Sequence, residues 1–151
     1  MVRSLTSTVL VLNGPNLNLL GSRQPEVYGT STLNDHLTTL GIEAKKFGFL
    51  IESYQSNSAS ELIAQIHGAR GRCAAIIINP GAFTHYAWSL SEALATFDGP
   101  VVEVHISNPA TREPWRHVSV VAPVAIGTIA GFGGQGYVLA IAAIAKHLAD
   151  A

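Results

Sequence analysis

Glu103, His105 and Ser107 occupy alternate positions in the stretch 101–108, an apolar run entered through Pro100 and broken at Asn108-Pro109. Alternation is the period of a strand, so a carboxylate, an imidazole and a hydroxyl are expected to share one face. Glu103 can hold one ring nitrogen of His105 and favour its charged form, leaving the other nitrogen, protonated, free to face a substrate. That is the equipment of a general acid. Beyond the turn, Arg112 and Arg116 are four residues apart; in a helical segment both guanidinium groups leave the same side and can bind oxygen-rich ligands. Tyr28 is a second acid–base candidate. A free phenol, with a pKa of about 10, is too weak an acid to be a base at neutral pH, but a neighbouring guanidinium favours the phenolate. Arg23 stands in the same segment.

Other chemistries find little support. The six histidines, His36, His67, His85, His105, His117 and His147, show no paired ligand spacing, and Cys73 has no second thiolate beside it, so no metal is expected. No Gly-x-Ser-x-Gly elbow is present, and Cys73 opens the apolar run 73–78, where a buried structural thiol is expected. Lys45, Lys46 and Lys146 fall late in helical patterns, where solvated cations favour the helix dipole. A formal net charge of −1 with no basic run gives no electrostatic footing for nucleic acid or an anionic membrane. The longest apolar runs, 138–145 among them, are too short for a membrane span, and 9–12 is too brief for a secretory core. A cytoplasmic protein is expected.

The elements that must position these residues follow from periodicity. At 151 residues and 48% hydrophobic content, residues 1–151 suit one domain with a substantial core. Residues 8–12 read as a buried first strand ending in Asn13-Gly14-Pro15-Asn16-Leu17-Asn18, which continues neither strand nor helix. A long loop to about Thr30 is a candidate lid. Ser31 or Thr32 caps a helix with Leu33, Leu37 and Leu40 in phase, running to about Phe47. Residues 49–54 form a second strand. A helix follows, carrying Leu62, Ile63 and Ile66, with capping-box spacing in Ser58-Ala59-Ser60-Glu61. Residues 74–78, apolar throughout, suit a strand covered on both faces. A helix from about His85 to Phe97, the strand at 101–108, a fifth strand at 124–130 and a last helix at about 137–149 complete the series.

Strands alternating with helices argue for an α/β protein, a doubly wound parallel sheet of five strands. In such sheets ligands sit outside the carboxyl ends of the strands at the topological switch point, so Asn16, Asn79, His85, His105 and Ser107 are expected to converge there. Gly131-Phe132-Gly133-Gly134-Gln135-Gly136 matches G-x-G-x-x-G, but no further strand with an acidic residue follows it. Close helix-to-sheet packing is the preferred reading of these glycines. A flavin-binding or signalling module of the same architecture is a rival, disfavoured because residues 13–18 lack a phosphate-cradling Ser/Thr/Gly run.

Taken together, several ordered motifs resemble the type II 3-dehydroquinate dehydratases nearly end to end. They are Leu12-Asn13-Gly14-Pro15-Asn16-Leu17-Asn18-Leu19-Leu20-Gly21, Arg23 to Tyr28-Gly29, Gln55-Ser56-Asn57, Ile78-Asn79-Pro80-Gly81 with Thr84-His85, Glu103 to Asn108 with Arg112 and Arg116, and Gln135-Gly136-Tyr137. The resemblance implies a flavodoxin-like fold with sheet order 2-1-3-4-5 and a homododecamer assembled from trimers. It also implies a shikimate-pathway reaction on 3-dehydroquinate that uses no cofactor and no metal. It makes Tyr28 the base, Arg23 the stabiliser of its phenolate, His105 the proton donor with Glu103 in support, and Asn16 the holder of a water that stabilises an enolate. The substrate carboxylate falls near the Ile106 and Ser107 backbone and Asn79, the ring hydroxyls near His85 and Arg116, and Arg112 beside Tyr28. Four positions depart from the family pattern: Gln24 and Pro114 stand where glutamates are usual, and Val118 where a polar residue is. Glu92 replaces an aspartate that reaches a neighbouring subunit's substrate.

Overall fold

The computed structural model describes residues 7–151. Five strands, β1 (Ser7–Asn13), β2 (Phe49–Gln55), β3 (Ala75–Asn79), β4 (Val101–His105) and β5 (Gly127–Ala130), form one parallel sheet in the order β2-β1-β3-β4-β5. The expected architecture and strand order are borne out.

Strand parity divides the core in two. Leu10 and Leu12 of β1, Ile76 and Ile78 of β3 and Val101 of β4 pack under α3 (Ala59–Ala69) and α4 (Trp88–Ala95) through Leu62, Ile66, Leu90 and Leu94. The alternate residues Val9, Val11, Ala75, Ile77, Val102 and Val104 meet α2 (Leu33–Lys46) and α5 (Gln135–Ala149) through Leu40, Tyr137, Ile141 and Ile144. Each fully buried Leu or Ile side chain contributes about 1.5–3 kcal/mol. β1 and β3 are covered on both sides, which is why their sequences are continuously apolar rather than alternating. Gly136 lets α5 approach the sheet: a Cβ there would lie 3.1 Å from Val104 Cγ1. This is the packing role expected of the glycine-rich run.

Local signals set the helix ends. Thr32 forms a complete capping box with Asp35, the Asp35 N–H donating to Thr32 Oγ1 over 3.1 Å and the Thr32 N–H to Asp35 Oδ2 over 2.9 Å. Such a cap is worth about 1 kcal/mol. At α3 only half of the expected box forms. Ser58 Oγ accepts from the Glu61 N–H, but the Glu61 carboxylate accepts from the Ser56 hydroxyl instead of the Ser58 backbone.

Several expected boundaries are corrected. The strand at 101–108 stops at His105, because β3 pairs with β4 only as far as Glu103 and β5 only as far as His105. Ser107 therefore lies beyond the strand, and strand alternation does not extend to it. Arg112 and Arg116 do not share a helix. Two 3-10 turns, Pro109–Thr111 and Pro114–His117, flank Arg112 in an extended conformation, and Glu113 is held extended by the proline after it. The helix expected from His85 begins at Trp88, after a separate 3-10 turn, Gly81–His85. The backbone of Tyr86 and Ala87 leaves helical values between them. The fifth strand starts at Gly127, because Val124 belongs to a 3-10 turn, Ala122–Val124. The long loop holds a 3-10 turn, Leu17–Leu19, and a one-turn helix, α1 (Pro25–Tyr28), which begins with proline at its first position. Cys73 precedes β3 and is half-buried, and that burial pushes its thiol pKa up.

Candidate active site

All five residues expected at the switch point meet there. A cavity of about 180 Å³ outside the strand ends is lined by Asn16, Arg23, Tyr28, Asn79, His85, His105, Ile106, Ser107, Arg112 and Arg116. β1 and β3 lie side by side here, and the chain leaves them in opposite directions, β1 towards β2 and β3 towards β4, as the switch-point rule requires. The turn after β1 passes so close to that after β3 that a Cβ on Gly14 would stand 2.3 Å from the Pro80 carbonyl oxygen. Asn16 then adopts a left-handed conformation (φ 68°), its N–H bound by Asn57 Oδ1 at 3.0 Å. Gln55 braces the same turn, donating to the Gly14 carbonyl at 3.0 Å and to Asn57 Oδ1 at 3.2 Å.

His105 sits on a buried carboxylate. Its Nε2 is 2.5 Å from Glu103 Oε2, and Glu103 is wholly buried. Three hydroxyls also reach that carboxylate: Thr84 at 2.5 Å, Ser119 at 3.0 Å and Thr128 at 3.3 Å. Ser119 Oγ accepts the backbone N–H groups of Val121 and Ala122, which directs its own proton to Glu103. Burial, the largest single influence, pushes the Glu103 pKa up. The hydrogen bond and charge of His105, then Thr84 and Ser119, outweigh it, and the carboxyl is held below its usual range. An ionised Glu103 accepts only, so Nε2 of His105 carries a proton and Nδ1 is the ring nitrogen left free.

Tyr28 lines the same cavity. Arg112 Nη1 donates to its hydroxyl at 2.8 Å and to Ser107 Oγ at 3.1 Å. The Arg23 guanidinium lies 4.9 Å from the Tyr28 ring centroid and that of Arg112 lies 5.3 Å from it. Arg116 and Arg112 converge although no helix joins them, because Glu113 pairs with both, at 3.1 Å and 3.8 Å. His85 Nδ1 is 2.6 Å from the Val118 carbonyl; a carbonyl only accepts, so Nδ1 donates and Nε2 is available to the cavity.

Glu92 is not brought to this cavity. It lies exposed on α4 and lines no part of the pocket. Trp115 was not anticipated from the sequence. It walls the cavity, its ring 5.2 Å from that of His85 and 4.1 Å from the Arg116 guanidinium carbon. An aromatic flanked by pocket arginines is the signal that could have found it. Pro15, Leu17, Gly81 and Ala82 also line the pocket and carried no signal beyond their neighbours. Among the described residues no group of three or more His, Cys, Asp or Glu is placed to hold a metal ion.

Fold and pocket together define a doubly wound α/β protein with a strand-end site built from a tyrosine, a Glu–His pair and arginines. Residues 7–145 match the family model for dehydroquinase class II. The chain is 50% identical over 146 residues to 3-dehydroquinate dehydratase 2 of Pseudomonas aeruginosa, covering 97% of this chain and 96% of that one. It is 49% identical over 142 residues to the 3-dehydroquinate dehydratase of Ruegeria pomeroyi, covering 94% and 95%. The crystal structure of the type II dehydroquinase from Propionibacterium acnes superposes with a TM-score of 0.90 at 41% identity, covering 95% of this chain and 99% of that one. This chain belongs to the class II dehydroquinase family. The resemblance drawn from the motifs, and the enzyme class it implied, a type II 3-dehydroquinate dehydratase among the lyases, are borne out.

Proposed function

We propose that this pocket dehydrates 3-dehydroquinate to 3-dehydroshikimate by anti elimination through an enolate. The C2 proton of the substrate is alpha to the C3 ketone and so acidified. The Tyr28 phenolate removes it, and the electron pair moves onto the ketone oxygen. Arg112 and Arg23 offset the negative charge on the phenol oxygen, and a water held by Asn16 stabilises the enolate. The enolate then collapses, the C1–O bond breaks, and His105 delivers a proton so that the hydroxyl leaves as water. Glu103 offsets the positive charge that His105 carries before this transfer. Proton exchange with solvent restores both groups.

The carboxylate of the substrate binds the Asn79 amide and the backbone at Ile106 and Ser107, and the ring hydroxyls bind His85 Nε2 and Arg116. The observation that carries this reading is that the Arg112-bound Tyr28 and the Glu103-bound His105 line one and the same cavity. Purified protein should convert 3-dehydroquinate into a conjugated enone, followed as rising ultraviolet absorbance, at a rate unchanged by a chelator. No turnover at high enzyme concentration would refute the proposal.

We further propose that residues 1–151 act as one catalytic domain in the cytoplasm; among the described residues no helix is long and apolar enough to cross a membrane. A homododecamer of trimers would let Glu92 approach a neighbouring pocket. Light scattering at twelve times the chain mass supports this assembly, and a monomer mass counts against it.

A further inference from the structure

Tyr137 is wholly buried, yet its hydroxyl has a defined task. Asn13 ends β1 and Asn79 ends β3, and the two are register partners at the switch point. Both fall in phase with the residues facing α5, and the Tyr137 hydroxyl sits between them. It donates to Asn13 Oδ1 and accepts from Asn79 Nδ2 at 3.2 Å. A phenol has one proton to give. Burial drives the Tyr137 pKa well above the usual phenol value, against a smaller opposing effect of the Asn79 hydrogen bond, so that proton stays in place.

With its proton committed to Asn13, the phenol oxygen can only accept from Asn79. The other end of the amide is fixed as well, because the Gly81 N–H donates to Asn79 Oδ1 at 3.2 Å. A turned amide would set its NH2 against the Gly81 N–H and its carbonyl against an oxygen with no proton to offer. One Nδ2 hydrogen remains without a protein partner among the described residues, and Asn79 lines the cavity.

We infer that Tyr137 is a positioning residue for substrate binding: through Asn13 it fixes the Asn79 carboxamide with an N–H directed at the oxygen-rich group of the ligand. The inference rests on the reading above only in taking that group to be the substrate carboxylate. It concerns binding, so it predicts an effect on KM with little effect on kcat.

The test is a double-mutant cycle on the dehydratase assay. Tyr137→Phe should raise KM about five- to tenfold, the size expected when one hydrogen bond is lost or misdirected, with kcat within about twofold. Asn79→Ala should raise KM at least as much. The double variant should be no worse than Asn79→Ala alone, since Tyr137 acts through Asn79. Additive losses, or a fall in kcat at constant KM, would overturn the inference.

If Tyr137→Phe does not fold, Asn13→Ala keeps the ring but frees the phenol proton, and it should show the same KM split. A second measurement does not depend on the reaction. The Asn79 side-chain amide protons, assigned by their loss in Asn79→Ala, should include one slowly exchanging proton in the native protein and none in Tyr137→Phe. Fast exchange of both in the native protein refutes the positioning role, whereas absent turnover alone refutes only the proposed reaction.

Discussion

The Arg112 guanidinium donates to the Tyr28 hydroxyl across 2.8 Å, joining groups 84 positions apart in the chain. The same Nη1 holds Ser107 at 3.1 Å, so one planar group ties the segment carrying Tyr28 to the turn that follows β4. Replacing Tyr28 by Phe removes the proposed base and should lower kcat by about 10²–10⁴, with the fold intact by circular dichroism. Arg112→Lys keeps the charge but loses the planar guanidinium whose Nη1 reaches both hydroxyls, and should fall between the native enzyme and Tyr28→Phe. Native rates in Tyr28→Phe would remove the phenol from the mechanism.

Glu103 links catalysis to acid stability. Its pKa is depressed in the fold despite burial, so the unfolded chain takes up the proton first as pH falls. The stability it contributes is therefore complete above the ordinary carboxylate value of 4.5 and is lost as pH drops through the lower folded value. Glu103→Gln should be less stable than the native protein near neutrality, and the gap should close as pH falls below 4.5. Urea titrations at several pH values measure it; a gap that widens on acidification would contradict the depressed pKa. The same variant should lose most of its kcat, because a neutral amide no longer offsets the charge on His105.

The sheet was legible because its strands are short apolar runs closed by Pro, Gly and Asn, and its switch-point site follows from strand order alone. Alternation placed Glu103 and His105 correctly. It failed for Ser107 because pattern does not reveal where the neighbouring strands stop pairing. The spacing of Arg112 and Arg116 led to the right convergence by the wrong route, since Pro114 forbids the helix and Glu113 supplies the joining contact. The hydroxyl cage of Thr84, Ser119 and Thr128 around Glu103 was invisible. Its members are far apart in the chain, and nothing about an isolated Ser or Thr announces a buried partner. The trio of Asn13, Asn79 and Tyr137 was hidden for the same reason.

Gly14 sets the distance between the turns after β1 and β3. A methyl group there meets the Pro80 carbonyl oxygen at 2.3 Å, and backbone cannot step aside as a flexible side chain would. Gly14→Ala should destabilise the protein by about 1–3 kcal/mol and should also reduce activity, since Asn16 and Gly81 move with those turns. Chemical denaturation and the ultraviolet assay measure the two effects. A fully stable, fully active variant would show that the turns can separate freely.

His36 should impose a second pH dependence in a different window. Its ring stacks on Tyr137 with centroids 6.1 Å apart, and its buried Nε2 has no hydrogen-bond partner among the described residues. Burial lowers its pKa below the ordinary 6.5, against the smaller opposing pull of Asp35. The unfolded chain therefore binds this proton at higher pH than the native state does. The contribution of His36 to stability is complete above pH 6.5 and is lost as pH falls through the folded value. His36→Gln removes the titration while roughly keeping the volume. Between pH 7 and pH 5 the unfolding midpoint of the native protein should fall more steeply than that of the variant. The difference between the two slopes reports on His36, and parallel slopes would mean that its ring is solvated.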